Sequence, residues 1–456
     1  MLAALIAVVV AATPAPAAQA ASRNFDWPIF GLGPSRPNAT SHATGITAGN
    51  AARLRRRVVS LPGTVDSSPV YLHGVQVAGG RHDVFVVTTT YGRTLAIDAA
   101  DGRILWTFTP AGIDHWAGSA QITNASPAAT RRFVYAASPD GLVHKLSLSD
   151  GREVGGHWPV AVTRDASHEK LTSSFNLLRG RLMVATGGYI GDAPPYQGHL
   201  VSIDARSGRI RAVFNTLCSN RRGLIVPSSC PASDSAIWGR GGAVRVGGRW
   251  LVATGNAPYD GRTNWGDSVL ALDDALRLRS SFTPPDQAQL NDSDTDLGSS
   301  VPAAIGGGSV LQGGKDGKLR VLRLPSLRQV QQLPTPGGAQ LFTAPAVWRH
   351  GRSTTVFVAT GGGTTAYSQR GGRLRPLWSD GTAGTSPIVA GGLLYVYDPG
   401  GALVIYRAGS GRVVARLPAA GGHWQSPVPG GSRIALPEGD ANDHRTSGEL
   451  SLYGLG

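Results

Sequence analysis

The 456-residue sequence concentrates acidic side chains in one short segment, Asp292-Ser293-Asp294-Thr295-Asp296. Carboxylate oxygens are the ligands that Ca²⁺ prefers, and a carboxylate can also accept a proton as a general base. On residue types alone, this segment fits a solvated acidic loop or a cation site as well as a catalytic site. The surrounding sequence has to decide between these possibilities.

The sequence contains two cysteines, Cys218 and Cys230, and they lie in one segment. In an oxidising compartment two such neighbours form a disulfide that closes a loop, which we expect here, and metal binding by two lone cysteines is the weaker alternative. No Cys-x-x-Cys-His motif occurs in the sequence, which argues against covalently attached haem.

The first residues indicate export. Met1 to Ala12 form an uncharged apolar run, and the Pro/Ala-rich stretch that follows ends in Ala18-Gln19-Ala20, a small-x-small cleavage pattern. The run is too short to cross a bilayer. We therefore predict a signal peptide at residues 1–20, no transmembrane segment after its removal, and a mature protein in the periplasm, in the cell envelope or outside the cell.

The formal net charge of +14 does not indicate a nucleic-acid partner. The basic residues are spread along the chain, and the densest cluster, Arg53-Leu54-Arg55-Arg56-Arg57, has no interleaved aromatic residues or nucleic-acid motif. We interpret this cluster as a solvated segment ahead of the first strand. A basic surface can still attract anionic polymers.

A repeated turn sets the framework for these residues. The segment from Leu95 to Trp106 reads as a strand, a turn that ends at Gly102, and a second strand. The turn recurs at 146–151 and 203–208, with weaker copies near 272, 322, 367, 406 and 450. A second marker, a small residue followed by proline and an apolar strand, precedes most turns, at Pro69, Pro127, Pro302, Pro345, Pro387 and Pro427.

Each repeat holds about four short strands in about 40–50 residues and shows no helical pattern, which is typical of propeller blades. A twisted four-stranded sheet cannot bury both faces alone, but blades packed around an axis cover one another. We predict an all-β, eight-bladed β-propeller that forms a single domain over residues 21–456. Seven blades are the alternative, if the terminal copies share one blade.

The repeat, with Ala-x-Asp-x-x-x-Gly followed by tryptophan at 96–106, resembles the pyrroloquinoline quinone (PQQ) dehydrogenase superfamily. The opening segment from Asp26 to Gly31 is similar to the lead-in of its alcohol and polyvinyl alcohol dehydrogenases. The resemblance implies PQQ and Ca²⁺ as cofactors, and tryptophans at Trp106 and Trp378 that dock neighbouring blades. Cofactor-free members of the superfamily share the repeat, so it predicts fold rather than activity.

The resemblance also implies roles in metal binding and catalysis. Thr254-Gly255-Asn256 resembles the motif whose asparagine coordinates calcium, which assigns Asn256 to the metal. Asp296 aligns best with the catalytic aspartate and is a second metal ligand, with Asp294 as the alternative base. In that position an aspartate takes the proton of the alcohol, and the cation polarises the quinone carbonyl.

Three residues match cofactor-binding positions of the family. Trp238 corresponds to the tryptophan that stacks under the quinone, and Lys315 to the basic residue that contacts the quinone oxygens. Thr172 matches a threonine near the cofactor. Each also has an ordinary explanation: a blade-packing aromatic, a common Lys-Asp-Gly turn and a strand-entry threonine.

Two family features are missing. No adjacent cysteines occur between Gly112 and Asn124, where a disulfide that covers the cofactor is expected. The segment after Leu182–Gly187 lacks the glutamate that completes the calcium site, and only Asp192 could replace it, shifted by a residue or two.

The resemblance favours an exported PQQ- and Ca²⁺-dependent dehydrogenase that oxidises an alcohol, a sugar or a hydroxylated polymer and passes electrons to a separate acceptor. The alternative is a non-catalytic propeller that acts as an envelope scaffold or binding protein. A third hypothesis is carbohydrate or cell-wall binding through exposed aromatic residues of the inserted loops, such as Trp265.

Overall fold

The computed structural model describes residues 24–455, so the predicted signal peptide lies outside the described residues. The described chain is almost entirely strands and turns, arranged as eight sheets. None of its helices is both long and apolar enough to cross a bilayer.

Each sheet is an antiparallel meander of four strands that forms one blade. The blades are numbered 1 to 8 along the chain, and their strands are: Val70–Val77, Gly80–Thr88, Thr94–Asp98 and Ile104–Phe108; Ala128–Ala129, Phe133–Ala137, Leu142–Ser147 and Val160–Ala161; Asn176–Leu178, Arg181–Gly187, His199–Asp204 and Ile210–Asn215; Val244–Val246, Arg249–Ala253, Val269–Leu272 and Leu278–Phe282; Ala303–Gly306, Ser309–Gly313, Lys318–Arg323 and Arg328–Pro334; Ala346–His350, Ser353–Thr360, Gly363–Arg370 and Arg373–Asp380; Ile388–Ala390, Leu393–Asp398, Ala402–Arg407 and Val413–Pro418; Val428–Gly430, Arg433–Glu438, Gly448–Gly454 and Arg55–Leu61.

Two short strands add to this pattern. Lys170–Leu171 pairs with Arg181–Gly187 at blade 3, and Ala39–Thr40 pairs in parallel with Ile388–Ala390 at blade 7. The helical elements are single turns: one α-helix, Gln287–Asp292, and 3₁₀ turns at Ala51–Arg53, Ile113–His115, Pro227–Ser229, Leu297–Ser299, Pro336–Gly338 and Ala441–Asp443. The α-helix stands just before the acidic segment, where the sequence showed no helical pattern.

The prediction of an eight-bladed propeller is confirmed, and so is the repeated turn. Gly102, Gly151 and Gly208 have φ values of 78°, 73° and 78°, a left-handed conformation that glycine adopts without a Cβ clash. The aspartate at the start of the turn caps it: a carboxylate oxygen of Asp98 accepts a hydrogen bond of 2.7 Å from the backbone N–H of Ala100.

The docking tryptophans are also confirmed. The indole N–H of Trp106 in blade 1 donates a hydrogen bond of 2.8 Å to the carbonyl of Leu148 in blade 2. Its ring lies on Gly151, where an added Cβ would approach the ring to 2.6 Å. Trp378 repeats the contact, donating to the carbonyl of Ala408 at 3.2 Å. Each tryptophan therefore joins one blade to the turn of the next.

The last blade closes the ring and corrects one prediction. The basic cluster at 53–57 does not lie ahead of the first strand, since Arg55 begins the strand Arg55–Leu61, which pairs antiparallel with Gly448–Gly454 and completes blade 8. Arg55 and Arg57 are exposed to solvent, as predicted. Arg56 donates to the carboxylate of Glu438 at 2.6 Å. The terminal copy of the repeat thus shares its blade with the N-terminal strand, and the described residues still form eight blades.

The disulfide prediction is confirmed, with Cys218 and Cys230 joined at an S–S distance of 2.04 Å. The expectation that Trp265 is exposed is wrong. Trp265 is 6 % exposed, and its indole N–H donates to the hydroxyl of Ser219 at 2.9 Å, next to the disulfide. Trp265 therefore cannot present its ring to a carbohydrate.

We expect Trp106→Ala to lower the free energy of unfolding by about 3–5 kcal/mol, because it removes a buried ring and leaves the Leu148 carbonyl without its donor. Trp348→Ala is the matched control, since Trp348 is partly exposed and stacks on His350 of its own blade. Urea denaturation measures both. Equal losses for the two variants would contradict the docking role of Trp106.

Candidate functional site

A cavity of about 740 Å³ lies where the segments that enter the blades converge. Six of these segments line it, with Asn124, Lys170, Trp238, Asp296, Phe342 and His423 ahead of the first strands of blades 2, 3, 4, 5, 6 and 8. Only the centre of the ring is adjacent to so many blades. The volume is within the range of about 300–1,000 Å³ that ligand sites occupy.

One wall of the cavity holds an ion pair between two of the predicted site residues. The ammonium of Lys315 lies 2.6 Å from Asp296 and 3.0 Å from Asp294. The Asp296 side chain is 4 % exposed, whereas that of Asp294 is 58 % exposed. Asp296 is therefore the carboxylate that is held in place, and Asp294 lies at the mouth.

The loop after Ala253 brings Asp296 and Trp238 together. The backbone N–H of Asn256 donates to Asp296 at 2.7 Å. An added Cβ on Gly255 would lie 2.7 Å from the indole nitrogen of Trp238 and would collide with the Asp296 carboxylate. The glycine of the Thr-Gly-Asn motif thus lets the indole and the carboxylate approach the same backbone.

Burial raises the pKa of Asp296 above its ordinary value, although Lys315 and the Asn256 N–H act in the opposite direction. Burial opposes the charge on Lys315 as well, but Asp296 and Asp294 raise its pKa overall. Behind them, Asp267 accepts the N–H of Leu297 at 3.0 Å, and burial raises its pKa to about 7. Asp296 is thus a buried carboxylate that binds a proton more readily than an exposed aspartate does.

The remaining predicted residues lie around this pair. Thr172 lines the cavity and donates its hydroxyl to the carbonyl of Ile237 at 2.9 Å. Asp192 also lines it and accepts the hydroxyl of Tyr196 at 2.8 Å, while Tyr196 meets the Trp238 ring edge-on at 6.1 Å. Asn256 reaches Asp296 through its backbone N–H, so its proposed role as a side-chain ligand is not evident from this contact.

The opposite wall was not predicted. Arg240 donates to buried Asp66 at 3.0 Å, and Asp66 also accepts the amide of Asn124 at 3.0 Å and contacts His423 at 2.8 Å. In the described part of the chain, Asp66, His423 and Asp440 form the one group of acidic and histidine ligand atoms that lie within 4.8 Å of one another. The guanidinium of Arg240 already neutralises Asp66, so this group is a paired network.

This wall could have been suspected from position alone. Asp66, Asn124 and Lys170 each stand just ahead of the strand that begins a blade, as Trp238 and Asp296 do. No motif marked them, because their partners lie far away along the chain, such as Asp66 and Arg240 at a separation of 174 residues.

The residues present fit a planar anionic ligand. Trp238 offers a half-buried aromatic face, while Lys315 and Lys170 place ammonium groups on the cavity wall. The donors also include carboxylates suited to a hard cation, at Asp296 and Asp192. Among the described residues, however, Asp192, Asp294 and Asp296 do not form a ready-made ligand cluster.

Comparison with known proteins supports the β-propeller fold described above. A family model described as "Outer membrane protein assembly factor BamB", built on PQQ-like repeats, matches residues 59–240 and 260–417. The chain belongs to this PQQ-repeat family. The match covers most of the chain and runs through blades 1, 2, 3, 5, 6 and 7 and the last two strands of blade 4.

Individual relatives are distant. Quinohemoprotein alcohol dehydrogenase ADH-IIG of Pseudomonas putida is 24 % identical over 156 residues, which is 34 % of this chain and 20 % of that protein. The matched part is thus about a fifth of the curated relative.

Among solved structures, the quinohemoprotein alcohol dehydrogenase of Comamonas testosteroni is similar with a TM-score of 0.70 at 15 % identity, covering 96 % of this chain and 82 % of that one. A europium-containing methanol dehydrogenase is similar with a TM-score of 0.69 at 14 % identity, covering 95 % and 98 %. At these identities the likeness establishes the fold.

We expect Gly255→Ala to destabilise the protein by about 1–3 kcal/mol, because the new methyl group has to displace the Asp296 carboxylate or the Trp238 ring. Gly361→Ala is the control, since an added Cβ there meets no atom within 4 Å. Thermal unfolding compares the two. If both variants have the same midpoint of thermal unfolding, the close packing at Gly255 is not as described.

Proposed function

We propose that this protein is an exported dehydrogenase that uses PQQ and a divalent or lanthanide cation to oxidise an alcohol, a sugar or a hydroxylated polymer. The observation that carries the proposal is the convergence of Trp238, Asp296 and Lys315 in one central cavity. The quinohemoprotein and methanol dehydrogenases named above share the fold and support the choice of cofactor.

In this proposal Trp238, Lys315 and Thr172 would hold PQQ, and Asp296, Asp192 and Asn256 would hold the cation. PQQ supplies the two-electron oxidant, and the cation supplies a Lewis acid. Asp296 accepts the hydroxyl proton of the substrate, because it is buried beside the cavity and its pKa is raised. Lys315 would keep a positive charge on the cavity wall next to the quinone oxygens, where reduction would add negative charge.

In this proposal a separate acceptor would take up the electrons of the oxidised substrate. Both cysteines of the sequence are joined in the Cys218–Cys230 disulfide, so this sequence offers no cysteine for covalent haem attachment. A disulfide is also consistent with an oxidising compartment, which supports placement in the periplasm, the envelope or outside the cell.

The test is reduction of an artificial dye by the purified protein with PQQ, Ca²⁺ and a panel of alcohols, sugars and polyvinyl alcohol. We expect Asp296→Asn to lower kcat by about 10²–10⁴-fold, since it removes the base. Asp294→Asn is the matched control, because its exposed side chain contacts the same lysine. A loss confined to Asp294→Asn would transfer the role of base to that residue.

The proposal fails if PQQ does not bind at micromolar concentration and no substrate reduces the dye, with Ca²⁺ or a lanthanide present. A scaffold role in the envelope would then be favoured, since the matching family model is described as an outer membrane assembly factor. That second candidate requires envelope proteins to be captured equally by the wild type and by Asp296→Ala.

A further inference from the structure

We propose that Lys170 is an anion-binding residue that holds a carboxylate of the planar ligand stacked on Trp238. This inference rests on the proposed function and assigns a role to a residue that no motif identified. It is carried by the position of Lys170, by its burial without a partner and by the charges around it.

The position of Lys170 is fixed by the strand that precedes blade 3. Lys170–Leu171 pairs with Arg181–Gly187, with Lys170 opposite Gly187. An added Cβ on Gly187 would lie 3.1 Å from the methyl group of Thr172 and 3.4 Å from the ring of Trp238. Lys170 therefore enters the cavity between blades 3 and 4, as Trp238, the proposed stacking surface, does.

The ammonium of Lys170 has no ionic partner. The residue is 9 % exposed and lines the cavity, yet its side chain forms no hydrogen bond or ion pair with any residue in 24–455. The ring centroid of Tyr189 lies 5.9 Å from the nitrogen. A charge buried in this way is unfavourable unless it is paired or neutralised.

The other cations of the cavity are already paired. Arg240 is bound to Asp66, and Lys315 is bound to Asp296 and Asp294. Lys170 is thus the one cavity cation, among the described residues, that remains to meet an incoming anion. PQQ is a planar quinone that carries carboxylate groups, and an ammonium-to-carboxylate hydrogen bond is among the stronger kinds.

The charges that face Lys170 come from three segments: Arg240, Asp66 and Asp192. Burial, followed by the repulsion of Arg240, lowers the pKa of Lys170 to about 8. The ammonium therefore carries its charge below about pH 8 and loses it above that pH. Burial keeps Tyr189 neutral by raising its pKa, so the phenol does not supply a competing charge.

The test measures PQQ affinity by isothermal titration calorimetry with the full-length mature protein and Ca²⁺. We expect Lys170→Met to weaken binding at pH 7 by about tenfold or more, and Lys170→Arg to retain most of the affinity. Lys318→Met is the control, since Lys318 pairs with Asp286 outside the cavity lining. The thermal unfolding midpoint of Lys170→Met should not fall, because its ammonium has no partner to lose.

Two further readouts separate anion binding from a structural effect. 9,10-Phenanthrenequinone, a planar quinone without carboxylates, should bind the wild type and Lys170→Met equally. The affinity of the wild type for PQQ should fall above about pH 8, and that of Lys170→Arg should not. If the wild type binds PQQ and Lys170→Met binds it equally well, this inference is wrong while the proposed function stands. If the wild type does not bind PQQ, both are wrong.

Discussion

The pairing of Arg55–Leu61 with Gly448–Gly454 is the contact on which the rest of the structure depends. Without it, blade 8 has three strands contributed by the end of the chain and an open edge. With it, the first and last parts of the described chain share one sheet, and no blade lacks a neighbour. The central cavity exists because the closed ring forces the entry segments of the blades to meet.

Closure of the ring also explains why charged groups are tolerated in the cavity. Each entry segment brings polar side chains to a place that the blades shield from water, where an unpaired charge is costly. Asp66 and Arg240 form an ion pair between two blades, and Asp296 and Lys315 form an ion pair within blade 5. Lys170 departs from this rule, and a departure from full pairing inside an otherwise paired cavity indicates a function that a ligand completes.

Much of the fold could be predicted from the sequence because its determinants are local. The turn glycines such as Gly102 and the docking indole of Trp106 act within one repeat or on the next, so their spacing is visible along the chain. The order of Trp238, Asn256, Asp296 and Lys315 was visible for the same reason. Their convergence follows from the closed ring.

The features that the sequence did not predict share one physical cause, which is contact between residues far apart along the chain. The strand Arg55–Leu61 looked like a segment ahead of the first strand, because its strand partner is about 390 residues away. Trp265 looked exposed in an inserted loop, but it packs beside the disulfide loop through Ser219. The Asp66–Arg240 wall and the unpaired state of Lys170 are likewise properties of the assembled ring.

The central claim is that this cavity binds a planar quinone above Trp238 with a cation at Asp296. A crystal structure grown with PQQ and Ca²⁺, with a lanthanide replacing Ca²⁺ in a second crystal for anomalous scattering, tests it most directly. The account predicts planar density against the Trp238 ring, a carboxylate at Lys170 and an anomalous peak at Asp296. Crystals that contain neither the density nor the peak, with the Lys315–Asp296 pair unchanged, would contradict it.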